Sequence, residues 1–183
     1  VSEQVYIIDD RPFRNLIATK VGKNKKAKII IVCAHYDSVW GSKGADDNAS
    51  GVAGLIELAR LIYKEDSNNS IKFIAFTCEE PPFFTTEDMG SFRYAKEAKR
   101  KKEHIEGALC LESIGFYSDK PNSQSYPLGL SPFYPNKGNF IAFVSNFSSH
   151  GLLKKMVKGF KKTSNFPLEY LLAPIFLAPA IAF

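Results

Sequence analysis

Three short apolar runs of this sequence end in residues that can bind a metal ion or move a proton. His35 and Asp37 of "AHYDS" follow Ile29 to Cys33, Glu79 and Glu80 of "TCEEPP" follow Ile71 to Cys78, and Glu112 of "LCLES" follows Ile105 to Leu111. The string "GADDNASG" adds Asp46 and Asp47 just after the first run. Imidazole with carboxylates is a donor set suited to zinc, with manganese or cobalt as substitutes. So much negative charge on one side of a sheet is costly unless cations sit there. Asp37, two residues from His35, is placed to orient the ring as metal-bound histidines require. The adjacent glutamates on an extended segment point different ways, so Glu79 and Glu80 can divide the roles of ligand and general base for a metal-activated water. Asp46 reads as an ordinary polar residue at a helix N-terminus.

These residues need a scaffold that brings the run ends together. Val5 to Ile8, Leu16 to Val21, Ile29 to Cys33, Ile71 to Cys78, Ile105 to Leu111 and Phe140 to Val144 read as strands. Between Ala49 and Tyr63 the apolar positions Val52, Leu55, Ile56, Ala59 and Ile62 recur at helical spacing, with Asp47, Asn48 or Ser50 available as N-cap. Ser91 to Lys102 and about Ser148 to Lys162 read as further helices. Strands alternating with helices predict an α/β fold with a largely parallel core, and in such sheets sites gather at the carboxyl ends of strands. Gly115 to Gly138, with Pro121, Pro127, Pro132 and Pro135, reads as a long irregular loop.

Composition narrows the function classes. With 183 residues, 45% of them hydrophobic, the chain can bury one sizeable core, and a single catalytic domain over 1–183 is expected. The formal charge of +5 comes from lysine clusters at Lys23 to Lys28, Lys99 to Lys102 and Lys154 to Lys162, which read as solvated faces; no nucleic-acid partner is expected. No run approaches the roughly 18 apolar residues of a membrane span. Cys33, Cys78 and Cys110 lack metal-finger spacing and read as buried free thiols. The start at Val1 and the apolar stretch Leu171 to Phe183 suggest a chain truncated at both ends.

The strings "AHYDS", "GADDNASG", "FTCEE" and "LESIG", in this order and spacing, resemble the di-zinc aminopeptidases, a family that includes bacterial leucyl aminopeptidases and glutamate carboxypeptidase. The similarity is strongest from about Asn15 to Ser118. It implies a three-layer sandwich with a mixed, largely parallel central sheet flanked by helices, the zinc-exopeptidase fold. It also implies that His35 and Glu112 ligate one zinc, that Asp47 bridges two, that Glu80 ligates the second, and that Glu79 is the general base. The family usually has Asp where Glu112 stands. Its remaining ligand, a histidine in a C-terminal loop, has no counterpart, since His104 and His150 read as surface residues. Two ions belong to the complete family site, and one or none is expected here.

The resemblance implies hydrolysis of N-terminal peptide bonds, a peptide or aminoacyl substrate, and a secreted or periplasmic location. A glutaminyl cyclase-like single-zinc transferase would use the half of the site containing Asp47 and Glu80. A non-catalytic peptide-binding homologue would have lost ligands or the base. The intact "HYD" and "EE" favour the peptidase.

Overall fold

The chain opens with a hairpin in which β1 (Ser2–Ile8) runs antiparallel to β2 (Arg11–Lys20). The turn residues Asp9 and Asp10 have φ of 47° and 61°, the left-handed pair that a two-residue hairpin turn demands. β2 starts well before the apolar run beginning at Leu16, because pairing with β1 holds Pro12 and the polar Arg11 and Arg14 in extended form. The computed structural model describes residues 1–24, 28–126 and 129–174. They group into two units, Val1–Gly115 and Phe116–Phe183.

In the first unit follow β3 (Ile29–His35), α1 (Gly51–Tyr63), β4 (Ser70–Phe76), α2 (Gly90–Arg100) and β5 (Ile105–Cys110). The sheet order is β1-β2-β4-β3-β5. β3 is parallel to both β4 and β5, and β2 is antiparallel to β4. Side-chain alternation sorts the core into two faces. Ile31, Cys33, Ile74 and Phe76 pack with Tyr94 and Ala98 of α2, while Val32, Ala34, Ile71 and Phe73 pack with Leu55 of α1. A helix on each face makes the three-layer α/β arrangement that the sequence predicts. Each large apolar side chain so buried contributes about 1.5–3 kcal/mol. Cys33 and Cys78 are buried, but Cys110 is exposed, contrary to expectation, because β5 ends the order of this sheet.

In the second unit, β6 (Ile141–Ser145) lies parallel to β7 (Leu168–Leu172), and α3 (His150–Thr163) connects them. Phe143 meets Phe160 of α3 edge-on at 5.5 Å, and Leu153 is buried. The described residues between 116 and 138 are irregular apart from a short turn at Ser131–Phe133. The first two residues of the apolar stretch, Leu171 and Leu172, close β7; residues 175–183 lie outside the described residues, as do 25–27 of the first lysine cluster.

Candidate metal centre

Because β3, β4 and β5 are parallel neighbours, their carboxyl ends share one edge of the sheet. His35 closes β3, Glu79 and Glu80 follow β4, and Glu112 follows β5. His35 is only 7% exposed. Its Nδ1 lies 3.0 Å from the main-chain carbonyl of Asp37, which can only accept, so Nδ1 carries the proton. Nε2 then faces Asp47 Oδ1 at 3.1 Å and Glu112 Oε1 at 3.4 Å. With Nε2 unprotonated, Asp47 Oδ1 is buried and accepts no hydrogen bond among the described residues. Ligand atoms of His35, Asp47 and Glu80 lie within 4.8 Å of one another. A nitrogen lone pair and carboxylate oxygens converging in this way repel unless a proton or a metal cation lies between them. The donor set and the orphaned Asp47 oxygen therefore fit a divalent transition metal.

Local structure explains the convergence. The segment between β3 and α1 breaks from helical geometry at Asp47 (φ −98°, ψ 98°) and Asn48 (φ −132°, ψ 38°). Asn48, 1% exposed, donates to Leu111 O at 2.9 Å and to Glu112 Oε2 at 3.3 Å, and accepts from the main-chain N–H of Gly51 and Ser113, each at 3.1 Å. A Cβ on Gly51 would stand 2.5 Å from Leu111 O, so only glycine lets α1 begin this close to the end of β5. Asp46 is structural, as its sequence context suggested: its Oδ1 accepts from Gly115 N at 2.7 Å and from Ser50 Oγ at 3.2 Å. Asp37 reaches the histidine mainly through its carbonyl, its Oδ1 being 3.6 Å from Nδ1, while its Oδ2 accepts from Glu80 N at 3.0 Å. Two non-glycine residues in left-handed geometry, Cys78 (φ 60°) and Ser113 (φ 45°), adjoin Glu79 and Glu112. Such strain persists where surrounding bonds hold it, and it clusters at functional sites.

The two glutamates diverge. Glu80 faces Asp47, and burial followed by the neighbouring Asp47 charge raises its pKa. Glu79 turns to α2, where its Oε1 accepts from Ser91 N at 2.6 Å and its Oε2 from Ser91 Oγ at 2.7 Å. Burial raises the Glu79 pKa even though both Ser91 donors favour the charged form. For His35, burial opposes the charge, but the carboxylates of Asp37 and Glu112 outweigh it and push the pKa up to about 11. Among the described residues, the ion pairs of Asp37, Asp47 and Glu112 go to His35 alone. Ser91, Asn48 and Asn15 were not anticipated as site-building residues. Asn48 was visible only as an N-cap candidate, and Ser91 only as the start of a helix.

The family model for peptidase family M28 matches residues 15–142, and the chain belongs to that family. The chain is 34% identical over 192 residues to the uncharacterized protein YfbL of Escherichia coli, an alignment covering all of this chain and 58% of YfbL. It is 40% identical over 90 residues to aminopeptidase YwaD of Bacillus subtilis, covering 49% of this chain and 20% of YwaD. BSAP, a zinc aminopeptidase from Bacillus subtilis, superposes with a TM-score of 0.64 at 26% identity, over 90% of this chain and 36% of BSAP. The chain thus spans little more than half the length of YfbL and less of the others. Among the described residues no helix is long and apolar enough to cross a membrane.

Proposed function

We propose that this chain carries the metal-binding and proton-transfer residues of a zinc-dependent aminopeptidase acting on peptide or aminoacyl substrates with a free amino terminus. The observation that carries the reading is the buried Asp47 oxygen, which among the described residues has no hydrogen bond while His35 Nε2 is unprotonated and lies 3.1 Å from that nitrogen, with Glu112 and Glu80 alongside. His35, Asp47 and Glu112 would hold a zinc ion, with Glu80 beside Asp47 as a further donor. Bound zinc lowers the pKa of water and polarises the scissile carbonyl.

The chain's own residues do the rest. Asp37 fixes the histidine tautomer through its carbonyl and holds the Glu80 main chain through its carboxylate. Glu79 lies one residue from a ligand and makes no ion pair among the described residues. It accepts the proton of the attacking water and returns it to the leaving amine. Its raised pKa brings it closer to the working range of a base that must also release its proton.

The test is zinc content by elemental analysis together with turnover of aminoacyl p-nitroanilides. His35→Ala and Asp47→Ala are expected to lose zinc and activity together. Glu79→Gln is expected to keep zinc while kcat falls about 10²–10⁴-fold. Zinc retained at wild-type stoichiometry in both ligand variants would defeat the assignment.

A further inference from the structure

Glu79 is held from one side by a single residue, and the anchoring of that residue points to a role. We propose that Ser91 is the positioning residue for the general base, setting the orientation of the Glu79 carboxylate with two donors from the first turn of α2. The inference rests on the peptidase reading above.

A glutamate side chain has three rotatable bonds, and one hydrogen bond leaves its carboxylate free to swing about the bonded oxygen. Ser91 instead bonds both oxygens, its main-chain N–H to Oε1 at 2.6 Å and its hydroxyl to Oε2 at 2.7 Å. The plane of the carboxylate is then fixed, and each oxygen keeps a second lone pair with which to accept a proton from water.

The donor is fixed to the same segment that carries the acceptor. Gly90 N donates to Thr77 O at 2.9 Å. Asn15, fully buried, donates to Gly90 O at 2.8 Å and accepts from Thr77 N at 3.2 Å. A third Asn15 bond, donated to Gln4 Oε1 at 2.8 Å, ties the clip to β1. A Cβ at Gly90 would come within 2.5 Å of Thr77 O, so the start of α2 is seated directly on the strand end that leads to Glu79. Ser91 and Glu79 therefore share one anchor, and their relative geometry does not depend on the intervening segment 80–89. Capping of α2 by Glu79 is the alternative account of the same bonds. Capping alone predicts lost stability with undiminished kcat.

The experiment compares Ser91→Ala with Ser91→Thr, which keeps the hydroxyl, in the zinc-loaded full-length protein. In Ser91→Ala we expect kcat to fall about 10- to 100-fold through misplacement of the base. KM should stay within about twofold of wild type, because substrate binding is not what is lost. Zinc content should be unchanged, Ser91→Thr should recover most of kcat, and the Ser91→Ala crystal structure should show the Glu79 carboxylate turned from its wild-type position. Undiminished kcat in Ser91→Ala, or an unmoved carboxylate in its crystal structure, overturns the proposal. Glu79→Gln separates the Ser91 role from the general-base assignment. If Glu79→Gln itself retains full kcat, the general-base assignment fails; if it is inactive while Ser91→Ala is fully active, only the Ser91 role fails.

Discussion

The proton on His35 is the first competitor that any metal meets at this site. With its pKa raised from 6.5 to about 11, the ring is protonated in the metal-free protein throughout the neutral range. Protonated His35 stabilises the metal-free fold fully below about 6.5, the unfolded value, and that contribution fades as pH rises through about 11. Metal binding must expel this proton, so apparent zinc affinity should climb about tenfold per pH unit between pH 7 and 9. Competition against a chromophoric chelator across that range measures the slope, and a flat profile would show that His35 gives up no proton to the metal. Asp37 offers a companion test. Its carboxylate accepts from the Glu80 main chain and lies 3.6 Å from the ring without standing among the ligands, while its ring-contacting carbonyl survives substitution, so Asp37→Ala should weaken zinc about 10-fold in the same assay.

At the scale of elements, the sheet and helices were legible because their periodicities are strong, as in the unbroken Ile29 to Cys33 run and the helical spacing from Val52 to Ile62. The convergence of the strings that end β3, β4 and β5 was legible too, since strand ends in a parallel sheet share an edge. The hairpin turn at Asp9–Asp10 and the early start of β2 were not, because those residues are polar and take their conformation from pairing with β1. Asn15 left no trace in the sequence, being one polar residue among β2 residues whose burial only the packed fold decides. Its clip carries a prediction of its own. A Gly90→Ala methyl would sit 2.2 Å from Asn15 Oδ1 and 2.5 Å from Thr77 O, so the start of α2 must shift. We expect a loss of about 1–3 kcal/mol in urea unfolding. A change below about 0.5 kcal/mol, ordinary for a surface substitution, would mean that α2 yields at no cost.

For the whole molecule, the division into two units matters because every candidate ligand lies in Val1–Gly115. Zinc at a thousandfold excess over its dissociation constant stabilises the state that binds it by about 4 kcal/mol. Chelation should therefore lower the melting temperature by about 8–16 °C. If calorimetry resolves two transitions, only the one belonging to 1–115 should move, and an equal shift in both would place metal-linked stability outside the first unit. The stitching around Asp47 has a further consequence for anyone who would transplant this chemistry. Asp46, Asn48 and Ser50 bond to the chain between Leu111 and Gly115. Residues 46–50 and 111–115, distant in sequence, are thus built as one bonded unit. Swapping either string alone between homologues should break the other's geometry, whereas exchanging both preserves the match.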